Sequence, residues 1–338
     1  MYKKRKFIIL SIIFIIFACL STTMSDIIAV NADGKAEIAM ELTHGTVLHE
    51  RNSDAHLPMA STTKIMTALI IAQDCDLSQI ITVPDCAVGV EGSSIYLKRD
   101  ERLSVKDLLY GLMLRSGNDA ATALAFHHSG SVEKFVEVMN ERAAAMGAEN
   151  THFVNPSGLP NDEHYTTARD LCLITRNAMK NDVFANVVSC QNYVGDFRTF
   201  TNKNKILHTL EGANGVKTGY TVKAGRCLVS SAKRGEMDVI CVVLNCPDMY
   251  ERSEEIIEGC FEKYSVEKIS KDMVFNYNGK QCSLSNDSLV CVEKNSPITY
   301  KVVDSGDKGD DEKAVAKLQI FSANDLIFSE FLYNIDNR

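Results

Sequence analysis

An α+β fold built on an antiparallel sheet is what this sequence predicts, on three observations. Strand-like runs occur at Ala36 to Leu42 and Thr46 to Glu50; helical patterning dominates from Ser61 to about Asn181; strands return at Gly215 and are followed by a helix at Ser253 to Tyr264. Strands joined by short turns pair antiparallel, and helices grouped between and after them cover the sheet instead of alternating with its strands. With 338 residues the chain can bury a large core and has the length of about two domains.

Each element has a local reason. The first hairpin turns at His44-Gly45, where glycine supplies a conformation other residues resist. Pro58 and a small-residue turn precede Ile65, Met66, Ala68, Leu69 and Ile70, an apolar run that reads as a buried helix starting near Ser61. Ser104 to Asp107 forms a capping box ahead of Leu108, Leu109, Leu112, Met113 and Leu114 at helical spacing. Ser116-Gly-Asn118 then interrupts the helix, with Gly117 expected in a left-handed C-cap and Asn118 capping the next helix, Ala120 to Phe126. An irregular segment runs through Asn155-Pro-Ser-Gly. Cys227 to Ala232 and Val239 to Leu244 form a second hairpin around Arg234 and Gly235. Beyond Ser265 come short β-rich runs, Met273 to Tyr277, Leu289 to Val292, Ile298 to Val303, Ala314 to Phe321 and Leu326 to Tyr333, with a charged loop from Asp304 to Lys313. The expected division is a leader at residues 1–32, a main domain at 33–265 and a small all-β domain at 266–338.

The leader is read from Lys3, Lys4, Arg5 and Lys6 ahead of the apolar run Phe7 to Leu20, the pattern of an export signal. Cleavage after Ser25 or Ala32, retention as an anchor, or lipidation of Cys19 all remain open, so membrane association through the N-terminus is one possibility. A formal net charge of -8 argues against nucleic acid as a partner. The eight histidines form no H-E-x-x-H string, so neither metal nor cofactor is expected. Eleven cysteines include no C-x-x-C pair, and Cys227 and Cys241 on the second hairpin read as buried small apolar residues.

The chemistry lies in three short strings: Ser61-Thr-Thr-Lys64, Ser116-Gly-Asn118 and Lys217-Thr-Gly219. Each alone has a plainer reading, as a helix cap, a turn, or an exposed lysine. Together they describe serine acyl transfer. Ser61 and Lys64 lie one helical turn apart and leave the same face, so the amine can act as base for the hydroxyl. A serine at a helix start also has free backbone amides beside it, which suit a developing oxyanion. Lys217 and Thr218 on a strand edge can face a ligand, and Gly219 permits close backbone approach.

This set resembles that of the penicillin-recognising serine acyltransferases, S-x-x-K, S-x-N and K-T-G. Longer strings narrow the likeness to the D-alanyl-D-alanine carboxypeptidases of the low-molecular-mass penicillin-binding proteins: Ala60-Ser-Thr-Thr-Lys-Ile-Met-Thr67, Leu114-Arg-Ser-Gly-Asn-Asp-Ala120, Phe153-Val-Asn-Pro-Ser-Gly-Leu159 and Tyr165-Thr-Thr-Ala-Arg-Asp170. The resemblance implies a β-lactamase/transpeptidase-like domain, an antiparallel sheet flanked by helices with a helical subdomain, followed by a small all-β domain. It implies Ser61 as nucleophile, Lys64 as base, Ser116 as proton relay, and Asn118 holding a substrate carbonyl and the lysine head. The backbone N–H groups of Ser61 and Tyr220 would form the oxyanion hole beside Gly219. Lys217, Thr218 and either Thr221 or Arg252 would hold the terminal carboxylate of a peptidoglycan stem peptide ending in D-Ala-D-Ala, with β-lactam antibiotics as inhibitors.

The sequence departs from relatives in two places. Tyr220 stands where a histidine often follows K-T-G, and Lys203 replaces an arginine ahead of the third string. Two rival functions share the strings. A class A β-lactamase needs a deacylating E-x-x-L-N string between the second and third, which is not found here. A non-catalytic wall-binding protein would not need the intact trio.

Overall fold

The computed structural model describes residues 34–306, 313–322 and 325–335, so the expected leader lies outside the described residues. The described chain opens with a hairpin, β1 (Ala36–Glu41) and β2 (Val47–Arg51). Among the described residues, six helices of eight or more residues follow: α1 (Lys64–Asp74), α2 (Val105–Leu114), α3 (Asn118–Ser129), α4 (Val132–Ala145), α5 (Ala168–Met179) and α6 (Asp182–Ser189). Then come β3 (Ala213–Thr221), β4 (Gly225–Arg234), β5 (Met237–Leu244) and α7 (Met249–Lys263). The five strands make one antiparallel sheet in the order β2-β1-β5-β4-β3. The two hairpins therefore join through the pairing of β1 with β5, and the helices between them pack as an insertion.

β5 shows why the sheet is covered on both sides. Ile240, Val242 and Leu244 belong to the core beneath the helical insertion, whereas Val239, Cys241 and Val243 belong to the core beneath α7. Successive side chains of a strand point to opposite faces, so a strand apolar at every position requires two apolar covers. α1 lies deepest, with every residue from Lys64 to Ile71 buried. A helix apolar all round belongs in a core, and truncating Ile70 to alanine there costs about 2–5 kcal/mol. Cys227 and Cys241 are both fully buried, in different cores on opposite faces of the sheet.

After α7 the chain is all β: β6 (Tyr264–Ile269), β7 (Phe275–Tyr277), β8 (Lys280–Ser283), β9 (Ser288–Glu293), β10 (Ile298–Asp304), β11 (Ala314–Ser322) and β12 (Asp325–Asn334). β6 pairs with β9, and the others form a second five-stranded sheet in the order β7-β8-β12-β11-β10. β11 alternates buried and half-buried residues along its whole length, the period of a strand with one covered face.

Local details differ from the sequence reading. Ser104 caps α2 as expected, its hydroxyl oxygen accepting from the Asp107 N–H at 3.0 Å. The left-handed residue after α2 is Ser116 (φ 65°), while Gly117 has φ -61°. Asn118 is the first residue of α3 and does not cap it. The helical stretch also holds a short strand pair, Ile80–Thr82 with Arg102–Ser104, too brief to show a period in sequence. α7 begins at Met249, ahead of the expected Ser253, and the strands Tyr264–Ile269 and Lys280–Ser283 were not anticipated.

Candidate active site

Ala60–Thr63 form one 3-10 turn ahead of α1, which places Ser61 just before the α-helix and makes Lys64 its first residue. The turn is strained: Ala60 has φ 49°, in the left-handed region that a residue with a Cβ avoids. Several contacts hold it there. The Thr62 hydroxyl donates to the Met59 carbonyl at 2.7 Å and the Thr63 hydroxyl to the Ala60 carbonyl at 2.8 Å. His164 Nε2 lies 2.7 Å from the same Thr63 oxygen, while its Nδ1 accepts the Val154 N–H at 3.1 Å. That acceptance fixes the tautomer, leaving the proton on Nε2 to be donated to Thr63. Gly158 (φ 85°) presses on the turn from another side, where a Cβ would stand 1.8 Å from the Ala60 carbonyl oxygen.

Lys64 is fully buried, and its Nζ has three neighbours: Ser61 Oγ at 3.0 Å, Asn118 Oδ1 at 2.7 Å and the Ser157 carbonyl at 2.5 Å. The Asn118 orientation is set by its other end, because Nδ2 donates to the Glu91 carbonyl at 2.7 Å. Two of the three neighbours are thus carbonyl oxygens that only accept. A neutral amine has two N–H bonds and one lone pair, so with both N–H bonds directed at Asn118 and Ser157 the lone pair faces the Ser61 hydroxyl. Burial pushes the Lys64 amine well below the ordinary lysine range, the charge of Lys217 pushes the same way, and Asp119 opposes them. The result is an amine pressed toward its neutral form with its lone pair aimed at a hydroxyl.

Asn155-Pro-Ser-Gly supplies one of those acceptors. Asn155 Oδ1 accepts the backbone N–H groups of Ser157, Gly158 and Leu159, bending the loop so that the Ser157 carbonyl meets Lys64.

β3 closes the other side. Gly219 lies so near the nucleophile turn that a Cβ would be 3.1 Å from both Ser61 N and the Met59 carbonyl oxygen. Its missing side chain brings the strand's edge to the Ser61 amide. Lys217 is buried, its Nζ 2.9 Å from the Thr218 carbonyl, and burial followed by the charge of Lys203 pushes it down to about 7. Ser61, Ser116, Thr218, Gly219 and Tyr220 line one cleft of about 540 Å³ together with Ser93, Lys203, Lys205, Arg226, Met249 and Tyr250. The structure therefore gathers Ser61, Lys64, Ser116, Asn118, Lys217, Thr218, Gly219 and Tyr220 at one place, from three separate stretches of chain. Among the described residues no cluster of histidine, cysteine or carboxylate side chains is arranged to hold a metal.

Comparison with known proteins agrees with this arrangement. Residues 22–248 match the family described as D-alanyl-D-alanine carboxypeptidase. The chain belongs to the D-alanyl-D-alanine carboxypeptidase family. A D-alanyl-D-alanine carboxypeptidase of Bacillus subtilis is 33% identical over 258 residues, 71% of this chain and 65% of that protein, so the chain aligns with just under two thirds of this relative's length. One from Streptomyces is 40% identical over 228 residues, 61% of this chain and 78% of that protein. Penicillin binding protein 5 of Haemophilus influenzae has a similar structure, with TM-score 0.76 at 25% identity over 90% of this chain and 96% of that one. The carboxypeptidase of Francisella tularensis gives TM-score 0.73 at 26% identity, covering 89% and 92%.

Against the family pattern, two anticipated carboxylate binders stand elsewhere. Arg252 is committed to Glu37, a fully buried carboxylate that it meets through Nε at 3.0 Å and a terminal nitrogen at 2.9 Å, with Glu255 on its third nitrogen. Burial alone would raise the Glu37 carboxyl, but His49, Arg252 and the Gly34 N–H together hold it far below the usual carboxylate range. A guanidinium that neutralises such a group is not available to a ligand without leaving a buried charge unpaired. Thr221 Oγ1 accepts the Ala224 N–H at 3.0 Å, shaping the turn into β4, and does not line the cleft.

Sequence reasoning missed several residues of the site. Gly158 and Ser157 sat in a quoted string without a role. His164 precedes the Tyr165 string but carries no local signal, because its partner Thr63 is distant in sequence. Arg226 stands opposite Tyr220 in the pairing of β3 with β4, which could have been inferred from the register of the second hairpin.

Proposed function

We propose that this protein is a serine D-Ala-D-Ala carboxypeptidase that removes the terminal D-alanine from peptidoglycan stem peptides and is acylated by penicillins at the same serine. One observation carries the reading: the Lys64 amine, buried and pressed toward its neutral form, has its two hydrogen-bond donors matched by carbonyl oxygens and its lone pair left for Ser61.

In this reading Ser61 Oγ attacks the carbonyl of the penultimate D-alanine as its proton passes to Lys64. The tetrahedral oxyanion is received by the backbone N–H groups of Ser61 and Tyr220, which the close approach at Gly219 brings to one side of the cleft. Ser116 conveys the proton from Lys64 to the departing amine, and Asn118 steadies both the lysine and the acyl side of the peptide. Lys217 and Thr218 hold the terminal carboxylate. After D-alanine leaves, water activated by the same lysine hydrolyses the ester and restores Ser61. A β-lactam presents a strained amide beside a carboxylate, so it enters by the same route and stays as an ester.

The substrate class places the protein outside the cytoplasm, at the cell wall or the outer face of the membrane, which the basic and apolar leader at residues 1–32 supports. Residues 33–265 serve as the peptidase domain and 266–338 as the β-rich appendage. The test is a muramyl pentapeptide given to protein starting at Asp33, with free D-alanine measured and benzylpenicillin adducts located by mass spectrometry. Release of D-alanine and one adduct on Ser61 are expected. Adduct formation on the Ser61→Ala variant, or steady turnover of penicillin without D-alanine release, would overturn the reading.

A further inference from the structure

The cleft carries more positive charge than the proposed substrate terminus requires. Lys205 and Arg226 line it in addition to Lys203, whose charge reaches the buried Lys217, and no acidic residue is among its lining. None of the three forms an ion pair with a carboxylate among the described residues, although Arg142, Arg169, Arg198, Arg234 and Arg252 all do. In a chain with 44 acidic residues and 36 basic ones, leaving three cations unpaired around one cleft is a local reversal of the overall charge. Cations that converge on a cleft with no acid on its walls focus a positive field on whatever enters it.

Two groups at this opening, the Arg226 guanidinium and the Tyr250 phenol, are held ready for an anion. Arg226 stands opposite Tyr220 in the sheet, and one guanidinium nitrogen donates to the Pro247 carbonyl at 3.1 Å, which holds the arm while leaving its other donors open. The Lys205 N–H reaches the Tyr250 hydroxyl oxygen at 3.4 Å, so the phenol accepts from the backbone and keeps its own proton for a ligand. Burial also raises the Tyr250 hydroxyl, which favours the donor form. A guanidinium, an ammonium and a phenol around one opening make an anion site.

We infer that this wall of the cleft takes a second carboxylate of the peptide substrate, separate from the terminal one held by Lys217 and Thr218. The inference rests on the proposed carboxypeptidase reading and adds a charge requirement to it. The second carboxylate can come from the side chain of the departing residue or from the residue that precedes the terminal dipeptide. Both are the same ligand chemistry, and matched pairs of peptides tell them apart.

The experiment compares kcat/KM at low salt for isosteric pairs on the full-length protein. One pair carries glutamate or glutamine before D-Ala-D-Ala; the other ends in D-Ala-D-Asp or D-Ala-D-Asn. Exposed ion pairs are individually weak, so two cations acting together should favour the acidic member by about fivefold to tenfold in one pair. That pair identifies the source. The ratio should fall to near unity at 0.5 M salt and in the Lys205→Gln, Arg226→Gln double variant, whose melting temperature should match the parent because both side chains are exposed. A ratio at or below one in both pairs overturns the inference, as does a preference that survives in the double variant. Failure to cleave any D-Ala-D-Ala peptide would instead overturn the carboxypeptidase reading itself, and the charge requirement would fall with it.

Discussion

Lys64 Nζ lies 3.0 Å from Ser61 Oγ, at the junction of a 3-10 turn with a helix buried from Lys64 to Ile71. In the proposed mechanism burial makes this pair reactive, and replacing Lys64 by methionine tests it. The side chains are similar in length, so the main structural loss is two carbonyl partners left without a donor, worth about 1–3 kcal/mol each. Loss of a positioned base should slow acylation by benzylpenicillin about 10²- to 10⁴-fold. Stopped-flow acylation and thermal melting on the same variant separate the two effects. A variant that melts normally and acylates at the parent rate would remove Lys64 from the chemistry.

Lys217 gives the site a pH limit. Burial and the charge of Lys203 bring it down to about 7, so the cation proposed to hold a substrate carboxylate is lost as pH rises through that value. The proposed mechanism also needs Lys64 neutral, which requires pH above its own depressed value. The profile of kcat/KM for a carboxylate-terminated peptide should therefore be bell-shaped, with its alkaline limb near 7. In Lys217→Arg the alkaline limb should move upward by more than a unit, because a guanidinium stays charged. An unchanged limb in that variant would assign it to another group.

Gly158 shows what was legible in the sequence and what was not. The three strings and the order of hairpin, helices and hairpin could be read directly, because each depends on residues close in sequence. The Asn155-Pro-Ser-Gly loop could be read as a turn, but its purpose depends on Ala60, almost a hundred positions earlier. Arg252 was misplaced for a related reason. Its pattern fits a carboxylate binder, while its partner Glu37 lies on the first strand, and only the pairing of β1 with β5 brings the start of α7 beside it. The left-handed conformation of Ser116 was assigned to its neighbour Gly117 because local propensity favours glycine, and tertiary contacts around Asn118 decided otherwise.

Gly158→Ala should accordingly be severe. Its Cβ would meet the Ala60 carbonyl oxygen at 1.8 Å, backbone that cannot yield without moving the nucleophile, and its φ of 85° adds strain. A loss of about 3 kcal/mol or more is expected, which in a domain of this size lowers Tm by roughly 6 °C or more. Gly235→Asn is the control: its φ is 58°, nothing lies within 4 Å, and asparagine tolerates that region. Calorimetry that gave equal effects for both variants would contradict the close approach of Gly158 to the nucleophile turn.

Arg252→Ala separates a structural guanidinium from a substrate-binding one. Glu37 keeps His49, Arg51 and the Gly34 N–H, so removing one partner should cost about 1–3 kcal/mol and not the full penalty of an isolated buried charge. KM for a D-Ala-D-Ala peptide should stay within about twofold of the parent at temperatures where the variant is folded. A tenfold rise in KM with an unchanged melting temperature would return Arg252 to the carboxylate site.

His164 ties acid stability to the shape of the active site. Burial, then the charges of His152 and Lys64, lower it from the ordinary histidine value to about 4 in the folded protein. Its Nδ1 already accepts from Val154, so protonation would set two donors against each other and release the hydrogen bond that carries Thr63 and Ala60. Because the unfolded chain binds this proton near 6.5 and the folded chain near 4, the unfolded state holds more protons between those values, and stability must fall as pH drops through that window. The displacement amounts to about 3 kcal/mol across the window. Denaturant titrations from pH 7 to 4 should show this loss in the parent, and a shallower one in His164→Gln, which can donate to Thr63 but takes up no proton. If the two slopes coincide, His164 is not the group that titrates, and the neutral imidazole beneath the nucleophile turn loses its support.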